Sequence, residues 1–273
     1  PPHGCRHPGV PPGRCASRHD LLTARRLEPV TLLPLLRRDD LVERGFTSRG
    51  LSSAIRRGEL ARLRAGIFVE GESWNTAPRE ARIVARARAL SMTSRTAPVF
   101  SHETAGAIHG WALHSPSRDR VHTIAPMARP GAADGVVRHR GTLDDADVTE
   151  VDGLLVTSPV RTVSDVARTA TFEQAVTIAD GALRSGFWSG PDRYDDERAE
   201  EFRRRALGIA RLSAHGWTRA QRVLAFADGR AQLPGESISR IRLCALGFRN
   251  IRLQVAVPAP AGRSFYVDFG LED

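Results

Sequence analysis

Residues 44–69, RGFTSRGLSSAIRRGELARLRAGIFV, contain the strongest local pattern of the chain. Thr47 or Ser48 suits a helix N-cap, and Gly58 suits the position just after the end of that helix. Between them apolar residues recur at helical spacing, and after them come an alternating strand, a glycine turn and a second strand. A preceding helix is expected over residues 31–45 in two pieces. This order of helix, turn, helix and hairpin predicts a winged helix-turn-helix.

The same stretch is strongly basic on the surface that we expect to face solvent. Residues 47–66 contain five arginines and one glutamate, a net charge of +4. We expect the second helix to enter the major groove of duplex DNA and the wing to meet the backbone or the minor groove. The alternative to DNA binding is that these arginines form an ordinary solvated basic surface, in a chain whose composition favours arginine. The expected DNA contacts point away from the apolar face of the helix or lie on the wing: Ser48, Arg49, Ser52, Ser53, Arg56, Arg57, Arg62 and Arg64.

The composition of the whole chain agrees with a polyanionic partner. The 273 residues are 41% apolar and 26% charged, as in globular proteins, and the net charge is +9. All 40 basic residues are arginines, so a reaction that needs a lysine amine has no residue to perform it. The sequence has no run of about 18 apolar residues, the length of a membrane span. Three cysteines give no disulfide framework, and we therefore expect a cytoplasmic protein.

Shifts in composition divide the chain into five segments. We expect a disordered tail over residues 1–28, the winged helix-turn-helix over 29–72 and a mixed α/β domain over 73–188. A stretch rich in glycine, proline and acidic residues predicts a linker over 189–205. The last segment, 206–273, has helices followed by two strands. These segments predict an α+β fold class.

Two groups of residues invite a metal-binding interpretation, and both fail on their sequence context. Residues 100–114, FSHETAGAIHGWALH, contain His102, Glu103, His109 and His114. A zincin needs His-Glu-x-x-His, and the second histidine position is Gly106. Ala105, Ile108 and Trp111 instead give this helix an apolar face. The Pro/Gly-rich tail, which lacks a supporting strand or helix, offers Cys5, His7, Cys15 and His19. We expect no metal site and no cofactor.

The last segment carries two carboxylates in a pattern found in nucleases. Glu236 lies at the start of an expected helix, and Asp268 lies near the end of an expected strand. Metal-dependent nucleases continue with a strand bearing Glu-x-Lys, and the clustered carboxylates hold Mg²⁺. The chain ends at Asp273 before such a strand, so we expect an incomplete α/β unit. The alternatives are a first-turn helix residue for Glu236 and a surface position for Asp268.

Three parts of the chain resemble known families. Residues 44–69 resemble the N-terminal winged helix of AbiEi-type antitoxins of type IV toxin–antitoxin systems. FSHETAGAIHGWAL and VTSPVRTVSDVAR are similar to the domain that follows it in actinobacterial members. The segment from Gly235 resembles the start of a very-short-patch-repair-like domain of the PD-(D/E)XK superfamily, which has a restriction-endonuclease-like fold.

The resemblance implies a DNA-binding transcriptional regulator, an antitoxin-like autorepressor. Its implied partners are double-stranded DNA and a nucleotidyltransferase-type toxin or the transcript of that toxin. The alternative function is a Mg²⁺-dependent DNA endonuclease of the very-short-patch-repair-like class, active only if the chain continues past Asp273. Glu236 and Asp268 would be its catalytic carboxylates.

Overall fold

A computed structural model describes residues 32–114, 120–190, 193–259 and 263–271. Within these ranges the chain has both helices and a mixed sheet, so the α+β prediction is confirmed. No helix of the described ranges is long and apolar enough to cross a membrane. The tail expected over residues 1–28 lies outside the described residues.

The N-terminal unit packs two short helices against a three-stranded antiparallel sheet. Its elements are β1 (Leu36–Arg37), α1 (Arg38–Glu43), α2 (Ser48–Arg56), β2 (Leu60–Arg64) and β3 (Ile67–Glu70). The strand order is β1-β3-β2, because β3 pairs with both other strands. A small buried core fills the space between helices and sheet, and consists of Leu41, Leu51, Ala54, Leu60 and Phe68.

The boundaries of α2 agree with the sequence, whereas the start of the unit does not. Thr47 caps α2, because its Oγ1 accepts a hydrogen bond from the Gly50 N–H at 3.1 Å. Gly58 follows the helix with a φ of +76°, in the left-handed region that favours glycine. The first of the two helical pieces expected over 31–45 is wrong. The pairing of Leu36 with Phe68 places that segment in the sheet, overriding its helical propensity.

A six-stranded mixed sheet forms the centre of the next region. Two helices precede it: α3 (Gly71–Thr76) and α4 (Arg79–Thr93). The strands are β4 (Val99–Phe100), β5 (Val121–Ala125), β6 (Gly131–Ala133), β7 (Val136–Arg140), β8 (Val148–Val151) and β9 (Leu154–Thr157). Their order is β6-β7-β5-β4-β9-β8, with β5 parallel to β7 and β4 parallel to β9. Helix α5 (His102–Ile108) lies against β5 and β9.

Helices from the second half of the chain share one large apolar core. They are α6 (Pro159–Thr169), α7 (Phe172–Phe187), α8 (Asp196–Arg211), α9 (Trp217–Phe226) and α10 (Pro234–Ala245). Val163, Ile178, Phe202 and Val223 are buried members of this core. The chain ends in a hairpin of β10 (Ile251–Ala259) and β11 (Arg263–Leu271).

The linker expected over residues 189–205 is largely helical in the structure. Helix α8 begins at Asp196, and its Phe202 is only 4% exposed. The acidic residues that suggested a break form the start of this helix: the Asp195 carboxylate accepts a hydrogen bond from the Arg198 N–H at 3.0 Å. Negative charge is favourable at a helix N-terminus. The helical part of this segment therefore contributes Ala199 and Phe202 to the core.

A buried ion pair joins α7 to α10. Both Asp180 carboxylate oxygens accept hydrogen bonds from Arg240 Nη2, at 3.0 and 3.2 Å. The same carboxylate accepts from Ser237 Oγ and from the Asp228 N–H, each at 2.7 Å. Burial raises the pKa of Asp180 to about 6, although Arg240 and the other two donors oppose this effect.

Candidate functional site

Most of the side chains predicted to contact DNA lie on the exposed sides of α2 and β2. The face of α2 that carries Leu51 and Ala54 is buried in the unit core. Ser53 and Arg64 are half-buried. The remaining predicted contacts are exposed: Ser48, Arg49, Ser52, Arg56, Arg57 and Arg62. The structure therefore places six of the eight on the surface of one small unit.

Three of the exposed arginines are available for an external anion. In the part of the chain that the structure describes, no ion pair joins Arg49, Arg56 or Arg62 to a carboxylate. Arg62 has one long hydrogen bond, from its Nε to the Arg64 carbonyl at 3.4 Å. An arginine that has no internal carboxylate keeps its planar set of donors for phosphate or a guanine edge.

Arg57 is also exposed, but its guanidinium is hydrogen-bonded to neighbouring side chains, in contrast to that of Arg56. Its Nε and Nη2 donate to the two Glu59 carboxylate oxygens at 2.7 and 2.9 Å, and its Nη1 donates to Ser53 Oγ at 2.6 Å. The hydrogen bond to Glu59 raises the pKa of Arg57, and the same bond lowers the pKa of Glu59. The local charge is partly neutralised, so Arg57 and Ser53 are weaker candidates for DNA contact than the sequence suggests.

Arg38 is a basic residue at this surface that the sequence analysis missed. It is the first residue of α1, and its Nη2 donates to Ser48 Oγ at 2.8 Å, so its guanidinium lies at the start of α2. Arg38 is exposed. The available signal was the Arg37-Arg38 pair, which was assigned to an ordinary helix. Arg38 therefore places a positive charge beside the N-terminus of α2, the end predicted to approach DNA.

A cleft of about 590 Å³ lies beside the six-stranded sheet and the end of α8. Its lining includes a chain of ion pairs. Arg161 donates to Asp147 at 2.7 Å and to Asp165 at 2.9 Å, and the second Asp165 oxygen accepts from Arg168 at 2.8 Å. Because Asp147 and Asp165 are bound to arginines, this part of the lining is close to charge-balanced.

Three histidines from different elements meet at one side of this cleft. His102 begins α5, His122 lies on β5 and His139 lies on β7. Their ligand nitrogens all lie within 4.8 Å of one another. His122 Nδ1 is 3.0 Å from His139 Nε2, and the rings of His102 and His139 are stacked with centroids 3.6 Å apart. The chain therefore forms a three-imidazole cluster that includes His102, for which the sequence predicted a structural role, and two histidines that the sequence did not single out.

Burial keeps these three imidazoles neutral near pH 7. It lowers the pKa of His102 well below its usual value and lowers the pKa of His122 to about 3. It also lowers the pKa of His139, despite the nearby Asp165 carboxylate. Mutual repulsion between the protonated rings adds to the effect for His102 and His122.

The His-Glu-x-x-His motif could not reveal this cluster, because a motif of this kind compares residues that are close in sequence. His109 binds the Thr157 carbonyl through Nε2 at 2.8 Å, and Glu103 forms an ion pair with Arg79 at 3.4 Å. Both therefore have structural partners. Cys5, His7, Cys15 and His19 lie outside the described residues.

The two candidate nuclease carboxylates have ordinary surroundings. Glu236 lies in the first turn of α10, where its Oε2 accepts a hydrogen bond from the Gln232 N–H at 2.8 Å. Asp268 is exposed on β11. Among the described residues, no group of three metal-ligating side chains includes either carboxylate.

Comparison with known proteins gives relatives but no function. No family model matches the chain. The chain is 27% identical over 228 residues to the uncharacterized proteins MT2308 and Rv2248 of Mycobacterium tuberculosis, strains CDC 1551 and H37Rv; the match covers 84% of this chain and 76% of each relative. Among solved structures, the RV2827C protein from Mycobacterium tuberculosis is similar over 70% of this chain and 75% of its own, with 18% identity and a TM-score of 0.37.

Proposed function

We propose that the N-terminal unit is a winged helix-turn-helix and that the protein is a DNA-binding transcriptional regulator, an antitoxin-like autorepressor. The observation that carries this proposal is the surface formed by Arg49, Arg56 and Arg62, which are exposed and have no carboxylate partner in the described residues. The proposed partners are double-stranded DNA and a nucleotidyltransferase-type toxin. The endonuclease alternative has no support from the positions of Glu236 and Asp268.

The order of elements supports this assignment. A strand, two helices separated by a four-residue turn, and a hairpin follow one another, with the first strand paired to the last. In this arrangement α2 packs its apolar face on the sheet and turns its polar face outward. The second helix of a helix-turn-helix reads the major groove with residues near its N-terminus, where Arg49 lies.

The hairpin supports a second contact with the DNA backbone. The β2–β3 register shifts between Arg62 and Arg64, and Gly66 turns the chain with a φ of +76°. A bulge of this kind re-aims the side chains beside it. Arg62 remains exposed on the hairpin and would meet phosphates while α2 lies in the groove.

We expect DNA binding by the full chain to fall steeply with salt concentration. If about four arginines contact phosphates, released counterions give a slope near −0.9 per contact, and affinity falls about 100-fold between 50 and 200 mM salt. Fluorescence anisotropy with a labelled duplex from the upstream region of the gene measures this slope. An affinity that hardly changes over this range would contradict binding through these arginines.

Single substitutions should separate base contacts from phosphate contacts. Arg49→Ala should weaken binding to the specific duplex by about 1–3 kcal/mol, with a smaller loss on random DNA. Arg62→Ala should weaken binding to both duplexes equally and make the salt slope shallower by about one unit. Arg205→Ala, which removes an exposed arginine from α8, is the matched control and should leave affinity unchanged. Equal losses for all three variants would mean that only overall charge matters.

A further inference from the structure

The His102, His122 and His139 cluster has no role in the proposed DNA contact and needs its own explanation. Each histidine is supplied by a different element, and the strands that carry His122 and His139 are adjacent and parallel. In the register of β5 and β7, His139 lies beside Ile124, two residues from His122, so both imidazoles lie on one face of the sheet. Helix α5 brings His102 to that face.

We propose that His102, His122 and His139 form a binding site for a divalent transition metal of the zinc type, with a fourth position open to the cleft. This site is independent of the DNA-binding surface.

The distances within the cluster fit a tetrahedral ion with little movement. Two nitrogens bound to one zinc at about 2.0–2.1 Å lie roughly 3.3 Å apart in a tetrahedral site. His122 Nδ1 and His139 Nε2 are already 3.0 Å apart, and no two ligand nitrogens of the three residues are more than 4.8 Å apart. A set of three imidazoles suits zinc, copper, nickel or iron, whereas Mg²⁺ and Ca²⁺ prefer oxygen ligands.

The surroundings of His102 orient it as a metal ligand. Ser101 Oγ is 3.0 Å from His102 Nδ1, which leaves Nε2 as the ligand atom. A second partner of this kind fixes the tautomer and the ring orientation of metal-bound histidines. His102 also has a φ of +52°, an unfavourable backbone region for a residue other than glycine. Such strained residues cluster at functional sites.

The cleft gives access to the fourth position. His102 and His139 both line it, together with Thr142 and the ion-paired Arg161 and Arg168. Three protein ligands and one exchangeable position are typical of zinc sites that bind water or a substrate group. The site proposed here is therefore open, in contrast to the closed four-ligand sites that only stabilise folding.

The test is zinc binding to the full chain in competition with a chromophoric chelator. A Cys5→Ser/Cys15→Ser background removes the tail thiols from the competition. We expect one zinc per chain, and His139→Gln should weaken its binding about 100-fold or more, since loss of even an outer-shell partner costs 10–100-fold. Ser101→Ala should weaken binding about 10-fold or more through His102. His215→Gln is the matched control, because His215 lines the same cleft outside the cluster.

Cobalt(II) substitution gives a readout that does not depend on whether His139→Gln folds. The parent protein should show the visible absorption of a tetrahedral cobalt site with nitrogen ligands and no thiolate charge-transfer band. Zinc that does not bind stoichiometrically would overturn the proposal and leave the cluster as a neutral packed stack. Equal weakening by His139→Gln and His215→Gln, or a thiolate band from Cys244, would overturn it as well.

Discussion

Replacing Asp180 with alanine is expected to destabilise the protein by about 3–5 kcal/mol, the usual cost of removing one partner of a buried ion pair. The variant leaves the Arg240 guanidinium, whose side chain is 7% exposed, without its close carboxylate. It also removes the acceptor used by Ser237 and by the Asp228 N–H. The Asp228 carboxylate, 3.9 Å from Arg240 Nη1, is a weak substitute. Urea unfolding followed by circular dichroism measures the loss.

Asp196→Ala is the matched control for this prediction. Asp196 also pairs with an arginine at 2.7 Å, Arg230, but its side chain is 69% exposed. Exposed ion pairs contribute about 0–1 kcal/mol, because water already solvates both charges. Similar losses in the two variants would show that burial of the Asp180 pair does not set its contribution.

The parts of the N-terminal unit that could be predicted from sequence depend on local signals. The Thr47 cap, the apolar face of α2 and the glycine at 58 act within a few residues, and the structure has all three. The start of the unit was mispredicted because a long-range contact decides it. The pairing of Leu36 with Phe68 joins residues 32 positions apart, which no periodicity within the segment reveals.

The histidine cluster and the buried ion pair were missed for a related reason. His102, His122 and His139 are brought together by the pairing of β5 with β7 and by the placement of α5, which single-sequence patterns do not specify. Asp180 lies in the apolar helix α7, and its partner Arg240 is 60 residues further along the chain. In both cases the residues themselves can be read in the sequence. The sheet order and helix packing that bring them together cannot.

Trp111→Ala should be about as damaging as the loss of Asp180, at about 3–5 kcal/mol. The sequence predicted Trp111 on the apolar face of the helix that became α5. In the structure α5 ends at Ile108, and Trp111 follows it in a non-helical segment, where it is completely buried. Its indole Nε1 donates to Ser185 Oγ at 3.0 Å. Two helix glycines make room for it: a Cβ at Gly181 would lie 3.1 Å from the Trp111 Cβ, and a Cβ at Gly106 would lie 3.6 Å from its ring. With both neighbours lacking side chains, little can move in to fill the cavity.

Two further variants separate the parts of this effect. Trp111→Phe keeps most of the volume but leaves Ser185 without its donor, and we expect a loss of about 1–3 kcal/mol. Trp217→Ala is the control, because Trp217 is half-buried and stacks on Arg211 with 4.5 Å between the guanidinium carbon and the ring centroid. Its removal should cost less, since water reaches the vacated space. A loss for Trp217→Ala that equals or exceeds that for Trp111→Ala would contradict the cavity argument, because the cost would then follow the size of the removed ring and not its enclosure.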